Sequence, residues 1–200
     1  MKKKNLEKLT KKELLDDFVK YRNEMANVYY KRSTYRKIIL PYLEVNDNYM
    51  ETSKYKIEIT FKDRLSKDFK QDFPTKYQAM KNKFYTYTHS VYIKPNIPTP
   101  DPEYVDKEEF DKLPFEKKIE LFKECDDRYN ELKDLVEEYR VALAKKCTSK
   151  GVKIGDYRVK VCATKSLDFD KYADNNEDEY INMLDNDYVI SYRYINITKK

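Results

Sequence analysis

The chain has 200 residues, a mass of 24.3 kDa and a formal charge of +5, with 40% apolar and 38% charged side chains. Gly151 and Gly155 are its only glycines, where an average chain of this length carries roughly fourteen, and this excludes phosphate-cradling loops, dinucleotide fingerprints and nucleophile elbows. His89 is the only histidine, so a His-rich metal site is excluded too, and Cys125, Cys147 and Cys162 show no C-x-x-C spacing, so neither structural zinc nor a secreted disulfide framework is expected.

Thr10-Lys-Lys-Glu13 is a capping box, in which hydroxyl and carboxylate satisfy free N–H groups at a helix start. Leu14, Phe18, Tyr21, Met25 and Val28 follow at spacings of four and three, one apolar stripe on a helix that runs to about Leu40, where Pro41 is expected to stop it. Its far end, residues 29–37, is aromatic and basic. Tyr55, Ile57, Ile59 and Phe61 alternate with polar residues and predict a half-buried strand. Leu65, Phe69 and Phe73 suggest a short helix, and Pro74-Thr75-Lys-Tyr-Gln78 a second helix start of capping-box type. Residues 85–93 read as a strand, with Tyr85, Tyr87, His89, Val91 and Ile93 on one face.

Pro95, Pro98, Pro100 and Pro102 lie within eight residues, so this stretch is expected to be extended and stiff. A surface spacer is the plain reading and a P-x-x-P ligand the functional one. Asp106 starts a short helix. Pro114 suits the first turn of a long one, whose stripe runs through Phe115, Ile119, Phe122, Cys125, Tyr129, Leu132, Leu135, Val136, Tyr139, Leu143 and Cys147, with Gly151 as its stop. About 35 residues at ~1.5 Å each make a rod of roughly 50 Å, the spine of the molecule or an arm toward a neighbour. Val152–Ile154, Gly155-Asp156 and Tyr157–Val161 predict a hairpin with a two-residue turn, pairing Ile154 with Tyr157 and Val152 with Val159. Residues 166–187 are acidic, read as loop plus short helix. Residues 188–197 form a last strand, with Tyr188, Ile190, Tyr192 and Tyr194 on one side.

The fold class expected is α+β: two long helices packed on one or two antiparallel sheets, with the hairpin at 152–163. The proposed division is a basic half at 1–94, a Pro-rich linker at 95–104 and a second half at 105–200, or one integrated domain. Residues 1–100 carry 22 basic and 12 acidic side chains, a net of +10, and residues 101–200 a net of −5. The start of the chain has no apolar core of a signal peptide, and no run is long enough to span a membrane. A cytoplasmic or virion location is therefore expected, without secretion.

For chemistry, residues 174–185 place oxygen side chains at positions 1, 3, 5 and 12 of a calcium-type loop. Glu179 stands where that loop needs glycine, and Asp185 is shorter than the usual bidentate glutamate. His89 reads as a half-buried strand residue and the cysteines as small core residues. No cofactor, metal or catalytic residue is assigned, and no enzyme is expected.

Thirty-three lysines, 20 tyrosines and 13 asparagines point to an AT-rich genome, as in a phage, a virus or a low-GC bacterium. The function expected is a non-enzymatic structural or assembly protein, such as a ring or adaptor subunit at a head–tail junction of a phage or virus particle. It would be a homo-oligomer joined to other proteins of the assembly. Opposite charges would meet head to tail, Lys31, Arg32, Arg36 and Lys37 on one copy facing Asp174, Glu177, Asp178 and Glu179 on the next. One alternative is a nucleic-acid-binding accessory protein using the basic N-terminal half, with Tyr29, Tyr30 and Tyr35 stacking on bases. Another is a small inhibitor of a host enzyme.

Overall fold

A computed structural model describes residues 5–200. The fold is α+β. Its elements are a 3₁₀ turn at Leu6–Lys8, α1 (Lys11–Glu44), β1 (Tyr49–Glu51), β2 (Tyr55–Leu65), α2 (Lys67–Asp72), α3 (Pro74–Lys83), β3 (Tyr85–Lys94), α4 (Lys107–Lys112), α5 (Phe115–Lys146), β4 (Val152–Ile154), β5 (Tyr157–Leu167), α6 (Phe169–Asn175), α7 (Glu177–Asp185) and β6 (Val189–Lys199). Two antiparallel three-stranded sheets form, in the orders β1-β2-β6 and β3-β5-β4.

The chain gathers into two compact units. The first takes residues up to Ile57, His89–Cys162 and Ile197–Lys200; the second takes Glu58–Thr88 and Ala163–Asn196. This grouping differs from the 1–94, 95–104 and 105–200 division, because strand pairing joins segments far apart in sequence. The charge regroups with it. The first unit carries a net of +7 and the second a net of −2.

The first unit is organised by α1 against α5. The capping box forms as the sequence requires: Glu13 N–H donates to the Thr10 hydroxyl at 3.2 Å, and Thr10 N–H donates to the Glu13 carboxylate at 2.8 Å. Leu14, Phe18 and Tyr21 of the α1 stripe are buried, as are Leu132, Val136, Tyr139 and Leu143 of α5. Ile93, Ile154, Val159 and Val161 join them from the strands, making one core. The hairpin has the expected register, Ile154 opposite Tyr157 and Val152 opposite Val159.

Three local expectations are corrected. Pro41 does not stop α1, which continues to Glu44. Proline removes one helical hydrogen bond, yet Ile39 and Leu43 on either side of it are fully buried, and their packing carries the last turn. Gly151 does not end α5. Helical geometry stops at Lys146, where Cys147 turns extended and donates its N–H to the Leu143 carbonyl at 2.7 Å; Gly151 instead takes φ +89° in the turn into β4. The start of α3 has proline in its first turn but no side-chain cap.

The Pro-rich segment belongs to the first unit and is tied to α1. Arg22 donates to the Ile97 carbonyl at 3.0 Å, and Glu103 N–H donates to the Asn27 side-chain oxygen at 2.8 Å. Val105 at its end is buried. The second unit has a smaller core of Phe69, Met80, Phe84, Tyr172 and Met183, flanked by Leu65, Tyr77, Leu167 and Tyr188. Residues 166–187, expected as loop with short helix, are mostly the two helices α6 and α7.

Candidate functional site

The eight residues singled out for interaction fall in different units. Lys31, Arg32, Arg36 and Lys37 lie on α1 in the first unit; Asp174, Glu177, Asp178 and Glu179 lie on α6 and α7 in the second. Most of the basic set is used within the protein. Lys31 forms an ion pair with Glu103, whose hydrogen bond raises the Lys31 pKa above its ordinary value. Arg32 donates to Asp126 at 2.5 Å and lies 5.1 Å from the centre of the Tyr129 ring. Arg36 is engaged as well, and Lys37 is exposed. Of the acidic set, Glu179 accepts from the Tyr172 hydroxyl and lies 3.7 Å from the Lys76 ammonium. Asp174, Glu177 and Asp178 are exposed.

The calcium-type reading of residues 174–185 is overturned by helix. Nearly all twelve residues lie in α6 and α7, whose side chains radiate outward where a chelating loop would turn them inward. Among the described residues no group of three or more His, Cys, Asp or Glu is placed to hold a metal ion.

Of the tyrosines of the basic segment, Tyr29 and Tyr30 are exposed and Tyr35 is packed. Tyr35 lies flat on Phe110, with centroids 4.1 Å apart, and Tyr29 leans on Tyr129 while staying half exposed. Cys125, Cys147 and Cys162 are free thiols. Burial raises the pKa of Cys125 and of Cys147, which keeps both protonated at neutral pH.

One polar cluster was not legible in the sequence. Lys118 on α5 is 2% exposed, a rare state for lysine. Its ammonium donates to the Tyr42 hydroxyl at 2.9 Å and to Asp111 at 3.0 Å, and Tyr42 itself donates to Asp111 at 2.8 Å. Burial pulls the lysine pKa down, but these two hydrogen bonds outweigh it and the net shift is upward. The group therefore clamps α1, α4 and α5 as a charged, fully bonded triangle.

Several surfaces of the described residues are open. In the first unit a cleft of about 560 Å³ is floored by Leu6, Val141 and Ala142. Its rim charges are partly spent: Lys146 donates to the Glu7 carbonyl at 3.0 Å, and Arg140 to Glu137 at 3.1 Å. In the second unit β2 and β6 present a different surface. Ile190 and Tyr192 are 45% and 44% exposed, with Tyr194 two residues on along the same face. The Arg64 guanidinium sits 5.0 Å from the centre of the Tyr192 ring and donates to the Tyr194 hydroxyl at 3.4 Å. The Ile190, Tyr192, Tyr194 alternation is visible in the sequence, but alternation says only that these residues share a face. In the structure this face is open to solvent, and on the other face Ser191, Arg193 and Phe61 are exposed as well. The opposite face of the pair is tied down, because Asp63 accepts from both Tyr180 and Ser191.

Among the described residues no helix is long and apolar enough to cross a membrane. No protein-family model, curated protein or solved structure matches the chain.

Proposed function

We propose that the protein is a non-enzymatic assembly component that works through contacts with copies of itself, as a ring or adaptor subunit of a particle does. The observation that carries this reading is the Arg64, Ile190, Tyr192 and Tyr194 face. Aromatic residues and arginine are the side chains most enriched at the centres of protein interfaces. Here they stand together in solvent, with the guanidinium already held over a ring. Burying such a face against a second protein removes apolar area from water, while the arginine keeps a partner for its charge. The AT-rich composition suits a phage or virus particle as the setting.

Size-exclusion chromatography with light scattering tests it. The expected mass is a defined multiple of 24.3 kDa. The Arg64→Glu/Tyr192→Ser variant, altered only at exposed positions, should remain folded by circular dichroism and shift to the monomer. A monomer at every concentration, or an oligomer untouched by this variant, overturns the assignment.

A further inference from the structure

We infer that the part of the β3/β5 strand pair that lies in the second unit carries a separate binding site, for single-stranded nucleic acid. Tyr85 and Tyr87 stand on one face of β3, 43% and 58% exposed, with ring centroids 5.4 Å apart. Lys165 of β5 holds its ammonium 4.0 Å from the centre of the Tyr85 ring and donates to the Asn82 carbonyl at 3.4 Å. Lys81 and Lys83 lie in the last turn of α3, directly before the strand.

Along the chain the charge beside these rings is one-sided, although Asp168, just after β5, donates its N–H to the Phe84 carbonyl at 3.1 Å. From Phe73 to Pro100 the chain has four lysines and no Asp or Glu. With 36 acidic residues in 200, such a stretch of 28 would carry about five. Strand β5 has no acidic residue either. Among the described residues Lys81, Lys83 and Lys165 form no ion pair, whereas Lys31, Lys54 and Lys62 each sit on a carboxylate. A phosphate needs cations that are not already neutralised, and a base needs an open aromatic face. Both are found here within a few residues.

Spacing selects a single strand. Same-face residues two apart on a strand are about 6.7 Å apart, twice the ~3.4 Å rise of stacked bases. A tyrosine ring set between neighbouring bases requires that doubled spacing, which an unstacked single strand supplies and a duplex does not. The rings now stand at 77° to each other, so one must turn to stack in parallel. Exposed side chains make such turns on a fast timescale. Tyrosine rings and ammonium groups do not read the ribose 2′-hydroxyl, so DNA and RNA single strands should both bind. The site shares no residue with the Arg64 and Tyr192 face.

Fluorescence anisotropy of the full chain with labelled oligothymidylate and oligouridylate of about 15 nucleotides is the test. Both should bind at low salt and weaken as salt rises. Tyr85→Ala and Tyr87→Ala should each lower the affinity about 5- to 100-fold, and Tyr87→Phe should keep it. Replacing Lys81, Lys83 and Lys165 together by Gln should flatten the salt dependence. Circular dichroism checks that each variant is folded; the lysine variant leaves both rings in place and so tests the site without them. Three binding results each overturn the inference: no binding of either oligomer, duplex bound as tightly as single strand, or tyrosine variants that bind like the parent. Light scattering on Tyr87→Ala separates this site from the assembly face, because its oligomer mass should be unchanged. A loss of mass together with oligonucleotide binding would make these tyrosines a protein contact and overturn the site.

Discussion

The Tyr139 hydroxyl donates to the Asp17 carboxylate at 3.0 Å, joining α5 to α1 inside the first unit. The phenol is 2% exposed, and its ring lies 5.4 Å from that of Tyr21. Burial, and then the bond to an anion, push its pKa well above the ordinary phenol range. The same pairing recurs in the second unit, where Tyr172 donates to Glu179 and Tyr180 to Asp63. The bond to Asp63, followed by burial, raises Tyr180 to about 12.

These bonds make stability depend on alkaline pH. The folded pKa of each phenol lies above the unfolded value of ~10, so the native state holds its proton longer. The contribution is complete below about pH 10 and is lost as pH rises from there through the raised value. Tyr139→Phe should cost about 1–3 kcal/mol at neutral pH and should make the alkaline decline shallower. Urea melts at neutral and alkaline pH measure both. An unchanged alkaline slope would assign the pH dependence to other groups.

Lys118 separates packing from charge. Lys118→Met keeps most of the buried stem and removes the ammonium with its desolvation penalty, so stability should stay within about 1.5 kcal/mol. Lys118→Ala removes the stem as well and should cost about 2–5 kcal/mol. Chemical denaturation distinguishes them. Equal losses would mean that the bonds to Tyr42 and Asp111 dominate.

Arg32, one of the four basic residues expected to face a neighbouring copy, is bonded within its own unit. Its guanidinium bonds Asp126 and faces two rings, Phe122 and Tyr129. Arg32→Glu would set two carboxylates together and should lower stability by about 1–3 kcal/mol. Lys37→Glu, at an exposed position, should change it by less than about 0.5 kcal/mol. Thermal melts of the two single variants give the comparison. Equal melting temperatures would return Arg32 to the solvated surface.

Gly155 tests the hairpin. Its φ is +57°, and a Cβ there would meet nothing within 4 Å, so only backbone strain opposes a side chain. Gly155→Val should cost about 1–3 kcal/mol and Gly155→Asn clearly less, since asparagine tolerates left-handed geometry. If both variants melt alike, the turn has relaxed to another conformation.

Local signals read well from the sequence because their physics is local. The Thr10/Glu13 box, the Gly155-Asp156 turn and the α5 stripe each depend on residues within a few positions of one another. What was missed depends on distant partners. Nothing near Lys118 announces that Tyr42 and Asp111 will bury it, and nothing near Pro41 announces that Leu43 will be packed. Strand alternation placed Ile190, Tyr192 and Tyr194 on one side, but that Asp63 on the other side would bond Ser191 and Tyr180 depends on residues more than a hundred positions away. The charge runs are silent about distant partners in the same way. Lys31 and Arg32 look like a solvated face until Glu103 and Asp126 fold onto them.

The four long strands each begin in one unit and end in the other, so the chain crosses between units at residues 57–58, 88–89, 162–163 and 196–197. This has a consequence for how the protein is made. Neither unit is a contiguous stretch that the ribosome can finish and release to fold first. Helix α1 emerges early but waits more than a hundred residues for Leu132, Val136 and Tyr139 to cover its stripe. The second unit stays open until β6 has been synthesised to Asn196. Such pairings carry a high loop-closure cost and fold slowly. The nascent chain therefore holds a long apolar helix face uncovered until α5 has been made, and completion of both units is deferred to β6.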